Sequence, residues 1–360
     1  MGWGASVTPP TRPSPSLRSP VSCGYTWPSI TLVFRNLSLP LEGYLRTPKP
    51  CGTDPRTTYP SHAGACVAIL MLLLLVLPAA GCNAETGPGT EASGSSAQPE
   101  TTTLLMYAGA ASKPPTEEAI ELFREKTGIT VEVTFGGSGS VLSQMKLTEQ
   151  GDLYFPGSSD YMERAKRDGD VIAETEARIA YLVPAINVQK GNPKSILALK
   201  DLIRSDVKVA IADPESVCLG LYAVEILEQE FSSEERTAFR KNLLNYTGSC
   251  EKTATAISLK QVDAVIGWSV FEYWDPEGIE TVPLEESQIP RVGYLPIAVS
   301  KYTGSRAAAQ QFIDFLLSSE GQAVFAKYHY FATPEDAFAW LGSEKPVGGN
   351  YSLPPEWIVD

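Results

Sequence analysis

An α/β architecture in two lobes, each built on a mainly parallel sheet, follows from three observations on this 360-residue chain. Strand-like and helix-like segments alternate in strict turn from Leu104 onward. A glycine-and-hydroxyl turn, Gly136-Gly137-Ser138-Gly139-Ser140, joins a β-rich run to a helical segment. The body from about 104 to 345 is long enough for two lobes rather than one.

The first series opens with an apolar strand at Leu104–Ala108. A helix at Thr116–Thr127, a strand at Ile129–Phe135, a helix at Val141–Gln150, a short strand at Asp152–Phe155 and a helix at Asp160–Asp168 follow. A second series begins at Ala180, with a strand at Tyr181–Ile186, a helix around Leu199–Ile203 and a strand at Val207–Ala212. Helices at Gly220–Glu230, Ser233–Leu244 and Thr253–Lys260 lead to a strand at Ala264–Trp268. The chain closes with an apolar strand, Val292–Ala298, set after Pro290, and with amphipathic helices at Ala307–Leu317 and Gly321–Lys327.

What precedes this body is of another kind. Residues 1–61 are rich in Pro, Ser, Thr and Arg without helical or strand period, and read as a disordered or mis-annotated extension. The apolar run from Ala65 to Ala80 is short for a membrane span and ends in Pro78-Ala79-Ala80-Gly81-Cys82. It resembles a bacterial lipoprotein signal over residues 62–81, which implies cleavage before Cys82 and lipid on that cysteine. Ala79 stands where leucine is usual, and only Arg56 and His62 flank the run, so a plain transmembrane anchor is the competing reading. Residues 82–103 have the composition of a flexible tether.

The charge balance excludes one class of partner. Residues 1–81 hold six basic and two acidic side chains, leaving 23 basic against 40 acidic in the remainder, a net charge of −17. Such a chain is not built for nucleic acid. Of six cysteines only Cys218 and Cys250 fall in the folded body, with no CxxC pair and no Cys/His metal spacing. An exported compartment permits a disulfide between them, and two unrelated buried thiols are the alternative. No catalytic spacing is visible around His329, and no nucleophile elbow or P-loop occurs.

The Gly136–Ser140 turn suits an oxyanion, because glycines let backbone N–H groups converge, serine hydroxyls add donors and the following helix N-terminus adds partial positive charge. An ordinary strand-to-helix turn is the alternative. Further motifs accompany it: Leu105-Met-Tyr-Ala-Gly-Ala-Ala-Ser112, Gly151-Asp-Leu-Tyr-Phe-Pro-Gly-Ser158, Ala212-Asp-Pro-Glu215 with Gly220-Leu-Tyr222, and Gly267-Trp268. In order and approximate spacing these resemble the periplasmic molybdate/tungstate-binding components of ABC transporters. The resemblance covers most of Leu104 to Phe331.

It implies a type II periplasmic-binding fold, with lobe 1 at 104–186 and 291–345, lobe 2 at 187–290 and a tail at 346–360. The chain would cross between lobes near Pro184–Val188 and Ile289–Pro296. It also implies an oxyanion held in the cleft by Ser112, by Ser138, Gly139 or Ser140 of the turn, by backbone amides at Leu219 and Cys250, and by position 268. There the family carries tyrosine and this chain Trp268, whose indole can donate but not accept; a tryptophan that only packs is the other reading. If both lobe 2 amide contacts hold, Cys218 and Cys250 flank one ligand, and a disulfide would brace the two binding loops.

A donor-only site favours molybdate, tungstate or sulfate over phosphate, which keeps a proton near neutral pH and wants an acceptor. Asp152, Asp160, Asp213 and Asp263 are the available carboxylates, with Asp152 and Asp213 read as strand-end and turn residues. The expectation is thus a monomeric, extracytoplasmic, lipid-anchored, non-enzymatic receptor that hands molybdate or tungstate to an ABC permease. It needs no cofactor, and binds metal only as the oxyanion. A sulfate or other small-anion receptor is the alternative, with a lipid-anchored sensor domain or a hydrolase further behind.

Overall fold

The computed structural model describes residues 102–358. The extension, the lipoprotein signal, Cys82 and nearly all of the tether lie outside the described residues.

Ten strands are present among the described residues: β1 (Thr103–Gly109), β2 (Thr130–Gly136), β3 (Leu153–Phe155), β4 (Ala177–Leu182), β5 (Pro184–Gln189), β6 (Val209–Ala212), β7 (Leu243–Thr247), β8 (Ala264–Trp268), β9 (Ile279–Val282) and β10 (Gly293–Val299). The helices are α1 (Lys113–Thr127), α2 (Ser138–Thr148), α3 (Ser159–Arg167), α4 (Cys218–Glu230), α5 (Ser233–Asn242), α6 (Cys250–Ser258), α7 (Phe271–Trp274), α8 (Arg306–Leu317), α9 (Ser319–Lys327) and α10 (Pro334–Leu341).

They form two five-stranded sheets of the same pattern. Sheet one runs β2-β1-β3-β10-β4 and sheet two β7-β6-β8-β5-β9. In the first, β1 pairs in parallel with β2 and β3 while β10 runs against β3 and β4; in the second, β6 pairs in parallel with β7 and β8 while β5 runs against β8 and β9. Four strands of each sheet therefore share a direction, and one strand opposes them. That strand is the one delivered from the other lobe: β5 enters sheet two directly after β4, and β10 returns to sheet one from β9. The result is two α/β lobes of the type II periplasmic-binding fold, within one compact unit that takes in all the described residues.

Differences from the sequence reading have local causes. The single strand expected at Tyr181–Ile186 is two strands in different sheets. Val183 is the crossing, its carbonyl accepting from the Ser269 amide at 2.9 Å, and Pro184 opens β5 without an amide to offer. The lobe boundary thus falls three residues before 186. The helix expected to reach Leu244 stops at Asn242, and the chain turns straight into β7, an edge strand parallel to β6. Leu199–Ile203 is a 3₁₀ turn rather than an α-helix.

The segment from 346 is a strap rather than a free tail. The Pro346 carbonyl accepts from the Val292 amide at 2.9 Å, and the Gly349 carbonyl accepts from Ser159 Oγ at 2.8 Å. The Tyr351 amide donates to Asp160 at 2.8 Å in lobe 1, and Trp357 is buried against lobe 2 with Nε1 donating to Glu228 at 2.6 Å. Arg240 stacks on the same indole at 4.3 Å. Trp357→Phe keeps most of the packing and loses one charge-assisted hydrogen bond. Because Arg236 still holds Glu228 at 3.2 Å, the expected loss in unfolding free energy is about 1 kcal/mol, read from urea melts.

Candidate functional site

In lobe 1 the cleft wall is made by two strand-to-helix turns. β1 ends at Gly109, a 3₁₀ turn covers Ala110–Ser112, and Ser112 is the N-cap residue of α1. Its side chain does not cap the helix backbone. Instead Ser112 Oγ accepts from Thr116 Oγ1 at 3.1 Å, in a fully buried pair. At the second turn Ser138 opens α2, and its Oγ accepts from the Gly157 amide at 3.0 Å while its carbonyl accepts from Tyr154 Oη at 2.9 Å. Both hydroxyls therefore have an acceptor position already occupied, which leaves each O–H to donate elsewhere. Gly109 is required by this packing, since a Cβ there would lie 2.6 Å from both Ser138 Oγ and the Gly157 nitrogen.

The two other candidates in the turn are placed differently. The Gly139 amide is spent on the Ser216 carbonyl of lobe 2 at 2.8 Å, so it closes the cleft rather than facing it. Ser140 is exposed on α2. Of the two serines in the turn, only Ser138 is buried at the wall.

Lobe 2 contributes the starts of two helices. Cys218 and Leu219 begin α4 and Cys250 begins α6, the latter capped by Ser249, whose Oγ accepts from the Lys252 amide at 3.1 Å. Free N–H groups of a first turn and the helix dipole both favour negative charge there. Trp268, at the end of β8, is fully buried. Its Nε1 is buried with no hydrogen-bond partner among the described residues. Burial pushes the Cys250 thiol well above its usual range and Cys218 beside it adds to the effect; the Trp268 and Leu219 N–H groups pull the other way. The two cysteines are in side-chain contact as free thiols, so the disulfide raised from sequence is not formed in this structure.

The lobes are shut on one another. Besides the Gly139 to Ser216 bond, Tyr161 Oη donates to the Glu215 carbonyl at 3.0 Å and Lys113 pairs with Glu251 at 2.5 Å. At the centre a Cβ on Gly157 would fall 2.6 Å from Ala111 Cβ and 2.7 Å from Cys218 Sγ, so lobe 1 rests directly on that thiol. Gly157 is a site residue that sequence reasoning missed. Its signal lay in the quoted Pro156-Gly157-Ser158, where only hydrogen fits between Ala111 and Cys218.

The carboxylates all have structural work. Asp152 accepts from the Leu105 amide and Thr303, Asp213 from Ser216 Oγ and the Glu215 amide, and Asp263 from the Lys208 amide. Asp160 takes a bidentate pair from Arg291 at 3.0 Å, and Arg291 Nε reaches Glu225 of lobe 2 at 2.7 Å. This triad, buried at Arg291 and Asp160 and partly buried at Glu225, was not foreseen, because Arg291 sits alone in the sequence without a motif. Burial works against its charge, but Tyr222, Asp160 and Glu225 outweigh burial and hold the guanidinium protonated. Tyr222 lies under Arg291 at 4.0 Å and edge-on to Trp268 at 4.9 Å, its hydroxyl buried without a hydrogen-bond partner among the described residues. His329 stacks on Tyr273 at 3.6 Å on the surface. No cluster of three or more His, Cys, Asp or Glu suited to a metal ion occurs among the described residues, nor a helix long and apolar enough to cross a membrane.

The family model of the bacterial extracellular solute-binding proteins matches residues 104–331. A putative binding protein of Haemophilus influenzae is 33% identical over 35% of this chain, which spans half the length of that relative. A putative ABC transporter substrate-binding lipoprotein of Bacillus subtilis is 25% identical over 74% of this chain and 96% of its own. A molybdate-binding protein of Rhodobacter capsulatus is 25% identical over 60% of this chain and 83% of its own. Among solved structures, the sulfate-binding protein SubI of Mycobacterium tuberculosis superposes with a TM-score of 0.60 at 18% identity, over 68% of this chain and 93% of that one, a likeness of fold. These relatives are binding proteins rather than enzymes.

Proposed function

The chain belongs to the bacterial extracellular solute-binding proteins, and from that premise we propose that it captures molybdate or tungstate outside the cytoplasm and delivers it to an ABC permease. One observation supports the reading: two buried serine hydroxyls with occupied acceptor positions belong to the lobe 1 turns that pack against the starts of α4 and α6 in lobe 2. Such a cleft offers hydrogen-bond donors. A fully deprotonated tetrahedral dianion accepts from all of them, and phosphate would find the nearby carboxylates engaged elsewhere. The Rhodobacter relative supports molybdate as the member of that group. Binding needs no cofactor, the receptor acts as a monomer, and lipid on Cys82 keeps it at the membrane, a reading that the named Bacillus lipoprotein favours.

Calorimetry of the purified protein against molybdate, tungstate, sulfate and phosphate tests this. Tight binding of the first two with weak sulfate binding and no phosphate response is expected. A preference for sulfate would move the protein to the sulfate receptors, and silence toward all four would end the oxyanion reading. Mass spectrometry of the exported N-terminus reports whether Cys82 carries lipid.

A further inference from the structure

We propose that Cys218 and Cys250 form a thiol–disulfide modification site that sets the receptor's affinity, and that closure of the lobes decides when this site can react. The inference rests on the oxyanion reading above and adds a control to the same cleft.

Three features carry it. First, the thiols come from the first residues of two different helices, α4 and α6, which are also the two helix starts offered to the ligand. A bond between them ties both anion-facing turns together. Second, both residues are 1% exposed, and lobe 1 covers Cys218 through Gly157. Opening the cleft lifts that cover. Helix N-termini favour thiolate, the nucleophilic form, so a pair kept inert by burial becomes reactive once open. Third, the Leu219 and Trp268 N–H groups act on the Cys250 sulfur, the Trp268 indole without a formed hydrogen bond. As a thiol that sulfur competes with an oxyanion for those donors. Drawn into a bond with Cys218, it leaves them to the ligand.

The chemistry needs an oxidant of the disulfide class, which an exported protein meets in low-molecular-weight disulfides or in the oxidoreductases of that compartment. One cysteine thiolate attacks the disulfide R–S–S–R and expels one thiolate, giving a mixed disulfide. The second cysteine thiolate attacks the protein sulfur of that intermediate and expels the other. The Cys218–Cys250 bond forms, the R–S–S–R bond breaks, two electrons pass to the small disulfide, and the two protons leave with two R–SH.

The full chain is incubated with oxidised glutathione and, in parallel, with dithiothreitol. Free thiols at 218 and 250 are counted by alkylation and mass spectrometry, and molybdate affinity is measured on both forms. Bridging is expected, with affinity about tenfold higher in the oxidised form and with oxidation at least about tenfold slower when saturating molybdate holds the lobes shut. Cys218→Ser, and independently Cys250→Ser, are each expected to give the same affinity under both treatments. Two alkylatable thiols after oxidation, or a bridge that leaves affinity and oxidation rate untouched, would overturn the proposal. Should neither form bind any oxyanion, the solute reading fails and the affinity control with it, while the thiol count still reports separately on the bridge.

Discussion

The Ser112→Ala/Ser138→Ala double variant is expected to lose measurable oxyanion binding while remaining folded. On the proposed oxyanion reading each hydroxyl donates to a charged acceptor in the closed cleft, worth about 1.5–3 kcal/mol apiece. Each single change should then cost roughly 10- to 150-fold in Kd, and the pair about 3–6 kcal/mol if they act independently. The singles differ in side effects. Ser138→Ala leaves the Gly157 amide without its acceptor, so it also lowers stability, whereas Ser112→Ala strands only the Thr116 hydroxyl, which can rotate. Thermal melting without ligand separates the two contributions. Ser140→Ala, on the exposed face of α2, is the internal comparison and should stay within about twofold of the parent. Loss of binding in Ser140→Ala with retention in Ser138→Ala would reverse the assignment within this turn.

The contrast between these serines shows what could be read from sequence. The alternation of strand and helix was legible, because each element carries its own local pattern. The turn Gly136–Ser140 was legible as an anion-suited segment but not as one particular serine. Helical phase decides which hydroxyl faces the cleft, and α2 starts at Ser138, three residues earlier than the hydrophobic pattern from Val141 marked. Where lobes meet, sequence is silent. Gly139 carried as much promise as Ser138 until its amide was found on Ser216, 77 positions away. α10 was passed over although it carried its own local signals, a Thr333/Asp336 capping box, Pro334 in the first turn and Gly342 at its end. β9, by contrast, was passed over as four residues whose pairing with β5 lies some ninety positions away. Arg291 is the extreme case, a lone charge between Pro290 and Val292 whose meaning comes wholly from Asp160 and Glu225.

That arginine is where the second large effect is expected, and the effect is on stability rather than on ligand contact. Arg291 joins three parts of the fold: Asp160 at the start of α3 in lobe 1, Glu225 on α4 in lobe 2, and its own place in the returning crossover before β10. Asp160 is 2% exposed at its side chain and Glu225 14%, so removing the guanidinium leaves one carboxylate buried and another half-sheltered with no cation between them. Breaking a buried pair from one side costs about 3–5 kcal/mol, mostly as the penalty of the charge left behind. Arg291→Met should therefore lower unfolding free energy by about that amount, with Arg291→Lys recovering only part, since an ammonium cannot reproduce the bidentate fork. The compensated variant is the sharper test. Arg291→Met combined with Asp160→Asn and Glu225→Gln removes both stranded charges, and should regain much of the loss if burial of unpaired carboxylates is its source. Equal instability in the single and triple variants would instead mean that the shape of Arg291, stacked on Tyr222 beside Trp268, matters more than its charge.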